Sequence, residues 1–124
     1  MEAVLARVDT YPEDFQQILA DLLEQHYSDY NHDFSEVVVS HGRICDHFEV
    51  WEEHVHDYWH QGDRDKVVEY TAAIQRGDKF PPLIADCHKG FLQDGYHRLA
   101  AYRALGFERA EFIYIDEQES LLVG

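Results

Sequence analysis

The sequence predicts an α+β fold, a small mixed sheet with a strand–turn–helix phosphate-binding motif and an acidic helical extension in front of it. Three observations carry this expectation. Apolar residues recur at helical spacing over 12–26, and a Pro-entered apolar hairpin follows over 81–93. A glycine at 95 then opens a short helix that leads to a last strand at 110–115. With 124 residues, 45% of them hydrophobic and 14% aromatic, the composition is that of a globular chain with enough apolar surface for a core. Residues 1–62 are expected as an acidic, mostly helical region and 63–124 as the sheet-bearing core, the two making one compact domain.

Taken in order, residues 12–26 form the first helix. Thr10 is placed to cap it, Pro12 suits a first turn, and the acids Glu13 and Asp14 sit where the helix dipole favours them. Phe15, Ile18, Leu19, Leu22 and Leu23 make its apolar stripe. Residues 27–34 are polar and turn-rich, and Val37–Val39 is a short β-branched strand. A helix over 46–60 is expected from Phe48, Trp51, Val55, Tyr58 and Trp59 on one face. Gly62 breaks it and Asp63 caps the next helix, 64–76, whose buried side is Val67, Val68, Tyr70, Thr71 and Ile74, with Gly77 as its stop. Residues 81–86 and 90–93 then read as two strands joined by a turn at His88-Lys89-Gly90. Helix 95–105 is stopped by Gly106, strand 110–115 closes the sheet, and the acidic tail beyond Asp116 is expected at an edge or frayed.

Charge narrows the function. The net charge is −15, with 10 basic and 25 acidic residues. Residues 1–65 hold 3 Lys/Arg against 16 Asp/Glu, and residues 66–124 hold 7 against 9. A surface of this sign repels phosphate backbones, so direct binding of duplex nucleic acid is not expected. No apolar run approaches the roughly 20 residues that span a bilayer, so no membrane partner is expected either. The N-terminal residues lack the basic start and apolar stretch of a signal peptide, and Cys45 and Cys87 form neither a disulfide framework nor a Cys-x-x-Cys pair. A cytoplasmic setting with reduced thiols is expected.

The stretch Asp94-Gly95-Tyr96-His97-Arg98 holds the expected chemistry. A helix start offers N–H groups and a partial positive charge to an anion, and glycine lets the backbone come close to it. His97 and Arg98 add donors, and an arginine can fork across two phosphate oxygens. Leu99, Ala100, Ala101 and Leu105 pack the helix against the sheet. The same residues would also serve as a solvated helix start, with Tyr96 packing on the sheet edge rather than stacking on a base, and Asp94 capping the helix rather than holding Mg²⁺.

Read together, Asp65–Ile74, Phe80-Pro81-Pro82-Leu83-Ile84 and Asp94–Tyr102 are similar in order and spacing to the ParB/sulfiredoxin superfamily, over about 50 of the 124 residues. That resemblance implies a nucleotide site, with ATP or CTP and Mg²⁺ as cofactor, phosphate at Gly95, Tyr96, His97 and Arg98, and Lys66 reaching the nucleotide from the preceding helix. Because of two departures, neither sulfiredoxin activity nor a role in chromosome or plasmid partition is expected. Sulfiredoxins carry a reactive cysteine where this chain has Tyr96, so there is no thiolate to reduce a sulfinic acid. DNA-clamping ParB proteins have an arginine-rich motif, a helix-turn-helix domain and a dimerisation tail, for which this chain has no room. Other relatives are small-molecule kinases or are described as nucleases.

A second candidate is the histidine-rich stretch 52–60. His56 and His60 are four apart and share a helical face, a spacing that can bind zinc if a third ligand such as His47 or His32 joins them. Glu52 or Glu53, one turn earlier, is a candidate catalytic base facing the nucleotide, alongside Asp94. Two functions of different class follow. One is a nucleotide-dependent hydrolase, small-molecule kinase or switch. The other is a non-catalytic acidic protein that occupies the cleft of a basic protein partner, as nucleic-acid mimics and inhibitors of phage or mobile elements do.

Overall fold

Among the described residues five strands form one mixed sheet: β1 (Val4–Arg7), β2 (Glu36–Arg43), β3 (Leu83–Ala85), β4 (Leu92–Asp94) and β5 (Arg109–Tyr114), in the spatial order β1-β2-β5-β3-β4. The computed structural model of the chain describes residues 4–27, 35–47, 61–86 and 92–118. Among the described residues the helices are α1 (Glu13–His26), α2 (Gln61–Gln75) and α3 (Tyr96–Ala104), with 3₁₀ turns at Val8–Thr10 and Ile115–Glu117, and residues 45–47 are helical as well. β1 with β2, β2 with β5 and β3 with β4 pair antiparallel, whereas β3 and β5 run parallel. A parallel pair needs a crossover, and β4 followed by α3 supplies it.

Alternation along the strands splits the core into two layers. Val37 and Val39 of β2, Ile84 of β3 and Ile113 of β5 meet Phe15, Leu19 and Leu23 of α1 on one face. Leu83, Ala85, Ala110, Phe112 and Tyr114 meet Leu99 of α3 on the other. Leu19 and Phe112 are fully buried, and burying such a side chain is worth roughly 1.5–3 kcal/mol. β2 pairs with β5 closely at Gly42, where a Cβ would stand 1.9 Å from the Tyr114 hydroxyl and 2.8 Å from Phe112 Cδ2. Only glycine leaves room there for Tyr114, whose hydroxyl meets the buried His47 Nε2 at 3.0 Å.

The structure changes several expectations. β1 is a strand the sequence did not announce: Val4 and Leu5 do not alternate in burial, being 48% and 58% exposed, so no period marks it. β1 and β2 put the N-terminal region inside the sheet rather than in front of it. Thr10 does not cap α1; its Oγ1 donates to the Arg7 carbonyl at 2.6 Å, and Pro12 holds the cap position. Ile18 lies on the outer edge of the α1 stripe and is exposed. α2 already runs through Gly62, a position near the helix start where the glycine penalty is small, and Asp63 is an internal residue rather than a cap. Val68, expected on the buried side of α2, is 68% exposed, and Ala73 takes the buried place.

Beyond Asp116 the structure describes Glu117 and Gln118, and the second of them is firmly held. Gln118 is fully buried. Its Oε1 accepts from Val38 N–H at 2.8 Å, and its Nε2 donates to the carbonyls of Val38 at 3.1 Å and Tyr114 at 2.9 Å. The side-chain amide thus continues the β2–β5 ladder where the backbone of β5 turns away into a 3₁₀ turn. Tyr27 secures the same turn: its hydroxyl donates to Ile115 O at 2.6 Å and accepts from Gln118 N–H at 3.1 Å. Gln118→Ala is expected to lower stability by about 1–3 kcal/mol, since it strands buried backbone groups. Urea denaturation checks this; an unchanged midpoint would mean that water replaces the amide.

Candidate functional site

The start of α3, the start of α1 and the entry to β3 enclose a cleft of about 450 Å³, within the range of small-molecule sites. Gly95 is the N-cap of α3, with φ 102° and ψ 28°. In that conformation β4 turns directly into the helix, and a side chain would be strained. A Cβ there would also lie 2.4 Å from Leu83 Cδ2 and 3.0 Å from Arg98 Nη2. The first helical bond is Leu99 N–H to Gly95 O, at 2.8 Å. The N–H groups of Tyr96, His97 and Arg98 precede it and have no acceptor within the helix. With glycine as cap, no cap side chain covers them.

Arg98 faces inward. It is 6% exposed and donates to the carbonyls of Pro81 and Pro82, and Nη2 donates to Asp94 Oδ2 at 3.3 Å. Its Cζ lies 6.0 Å from the centre of the Phe15 ring. Burial draws its pKa below the usual arginine value, and the Asp94 carboxylate opposes that shift. The guanidinium is therefore the fastener between the Pro-Pro strand entry, Asp94 and the first turn of α3. It was expected as a phosphate fork; its donors instead serve the protein's own oxygens.

Tyr96 packs against the α3-side core, and its hydroxyl donates to Leu92 O at 2.8 Å. Burial raises its pKa, and nearby Asp94 adds to the rise. The packing role is thus realised. His97 Nε2 lies 2.9 Å from Asp63 Oδ1, each side chain about one third exposed or less, at 27% and 31%. An ionised carboxylate only accepts, so Nε2–H donates, and Asp63 fixes the ring of a histidine that lines the cleft. Asp94 lines the cleft as well.

Lys66 stands apart. It is exposed and lines a neighbouring depression, for which Tyr70 and Phe80 are shared walls. Glu52, Glu53, His56 and His60 lie outside the described residues. Among the described residues no group of three or more His, Cys, Asp or Glu could hold a metal ion, and no helix is long and apolar enough to cross a membrane.

Several cleft residues were not singled out for the site from the sequence. Asp14, Phe15 and Ile18 come from α1, Tyr70 and Phe80 from α2 and the segment after it, the latter two edge to face at 5.1 Å. Phe15 carried a signal only as the first member of an apolar stripe, and Asp14 only as a dipole-favoured acid. The Asp63–His97 pair spans 34 residues, and nothing local marks it. Comparison of the chain with protein-family models, with curated proteins and with solved structures gives no match.

Proposed function

We propose that the chain binds a nucleoside triphosphate, ATP or CTP with Mg²⁺, with its phosphates on the backbone N–H groups that open α3, as the resemblance to the ParB/sulfiredoxin superfamily implies. The observation that carries this reading is the glycine-capped helix start facing a cleft of about 450 Å³. The N–H groups and the dipole of α3 favour an anion. His97 gives its Nε2–H to Asp63, so it offers a phosphate a donor through Nδ1–H as the imidazolium. Tyr70 and Phe80 give a base an aromatic wall. The carboxylates of Asp14 and Asp94 are hard oxygen donors on the same cleft, fitted to an Mg²⁺ that arrives on the phosphates. Arg98 supports the site by fixing Asp94 and the Pro81-Pro82 carbonyls beside Gly95.

Calorimetric titration with ATP, ADP and CTP, each with Mg²⁺, tests the reading. The informative variant combines Asp63→Asn with His97→Glu. It keeps a hydrogen-bonded pair and places on the first turn a carboxylate that suits the helix dipole but repels phosphate. Wild type is expected to bind, and the variant to bind at least about tenfold more weakly, a loss of about 1.4 kcal/mol. Equal binding by both would reject the site. Formation of ADP or CDP during the titration would extend the reading to a hydrolase.

A second reading is favoured by the surface. β1 is an edge strand with Val4 and Leu5 exposed, and the first 65 residues carry 16 acids against 3 bases. Such a surface suits a basic protein partner, with affinity that falls as salt rises.

A further inference from the structure

We infer that the open edge of β1 takes an extended, basic segment of a protein partner as an added strand, with Leu5 at the centre of the contact. The inference rests on the second reading above, a basic protein partner, and specifies where and how that partner is held.

Register decides which backbone groups of β1 face outward. Opposed residues of an antiparallel pair alternate between those that exchange hydrogen bonds and those whose N–H and C=O turn away from each other. Val8 N–H donates to Ser35 O at 2.9 Å, continuing the β1–β2 register, so Ala6 with Val37 and Val4 with Val39 are the bonded pairs. Leu5 and Val38 form a pair of the other kind. Val38 bears this out, because its N–H and C=O both go to Gln118, away from β1. Leu5 N–H and C=O therefore point to the open edge, together with Arg7 N–H, while the Arg7 carbonyl takes the Thr10 hydroxyl. Among the described residues nothing bonds the two groups of Leu5.

The side chains mark the same place. Edge strands are commonly guarded by a charge, a proline or a bulge. β1 has neither proline nor register shift, its one charge, Arg7, is bonded to Asp9 at 3.0 Å, and Val4 and Leu5 stand exposed. Leu5 shares its face of the sheet with Val38, so the incoming residue that pairs with Leu5 should be apolar. The residues on either side of it fall on the face of Val4 and Ala6, where lysine or arginine stems can cover Val4 and keep their charges in water. Charge selects a basic segment over a second copy of this chain. Two copies would bring −15 against −15, whereas residues 1–65 hold 16 acids against 3 bases, with Asp9 and Glu36 beside Arg7 at the end of the strand. A strand of four residues offers few main-chain bonds, so charge must supply part of the affinity, and the affinity falls as salt rises.

Hydrogen exchange of the Leu5 amide in the ¹⁵N-labelled full chain reads the added ladder directly. The probe is a short synthetic peptide of alternating lysine and valine. A peptide of alternating lysine and proline has the same charge but cannot form the ladder. At saturation the first is expected to slow exchange at Leu5 at least about fivefold, while the second leaves it unchanged. Leu5→Lys, at an exposed position where the fold should tolerate it, puts a guarding charge on the edge and is expected to weaken binding of the lysine–valine peptide at least about tenfold. Binding of both peptides with exchange at Leu5 unchanged would leave the basic-partner reading standing and overturn strand addition, as would unchanged affinity in Leu5→Lys. Binding of neither peptide would overturn both. An amide at Leu5 already protected in the free chain also overturns the proposal: protection that fades on dilution means that a second copy holds the edge, and protection that persists means that the chain's own residues do.

Discussion

Arg98→Ala is expected to destabilise the fold by about 3–5 kcal/mol, the range for removing one partner from a buried charged network. Single domains are held by roughly 5–15 kcal/mol in all, so this is a large share. The reason is in the bonding. Arg98 is buried, and its donors satisfy the carbonyls of Pro81 and Pro82 and the carboxylate of Asp94. Alanine leaves those oxygens in a low-dielectric setting without donors, beside a Phe15 ring that has lost its cation. From the sequence alone the arginine reads as a donor to phosphate; its inward direction makes it a part of the fold. Urea denaturation of Arg98→Ala, with Arg98→Lys alongside, reads the effect. Lysine keeps the charge but not the fork, and is expected to recover only part of the loss. A wild-type midpoint in Arg98→Ala would show that the guanidinium is not the fastener described.

Gly95→Ala is the second large effect. At φ 102° a side chain is strained, a cost of about 1–3 kcal/mol for a sparsely populated conformation. The new methyl would also meet Leu83 Cδ2 at 2.4 Å and Arg98 Nη2 at 3.0 Å, and overpacking adds typically about 1–3 kcal/mol. Leu83 is the first residue of β3 and fully buried, so relief must come from moving the helix start or the strand. Because the methyl presses on Arg98, Gly95→Ala and Arg98→Ala should not be additive. The double variant is expected to lose less than the sum of the two, and a double-mutant cycle on denaturation midpoints measures the difference. A mild effect of Gly95→Ala alone would mean that another residue can hold this turn, and the proposed seating of phosphate on this backbone would lose its basis.

How far these features could be read in the sequence depended on whether they were local. The α1 stripe, the Pro-entered hairpin, the helix after Gly95 and the last strand each announce themselves within a few residues, by period or by a turn residue. β1 does not, because an edge strand exposed on both Val4 and Leu5 shows no alternation. Gln118 reads as part of an acidic tail, and only the tertiary fold brings its amide to Val38, 80 residues away. Asp63 illustrates the same limit at the site: it has the chemistry of a cap, and the packing of α2 against α3 turns it to His97 instead. The composition of the Gly95 motif was legible, but the direction of each side chain was not. Arg98 and Tyr96 point into the protein, leaving the backbone and His97 to face the cleft.

The most direct test is to follow the backbone amide resonances of the ¹⁵N-labelled chain as ATP and Mg²⁺ are added. Phosphates seated at the start of α3 predict that the largest shifts fall on the amides of Gly95, Tyr96, His97 and Arg98, with smaller ones at Asp14 and Tyr70. Shifts confined to other parts of the chain, or none at saturating nucleotide, would contradict the assignment of a phosphate site to this helix.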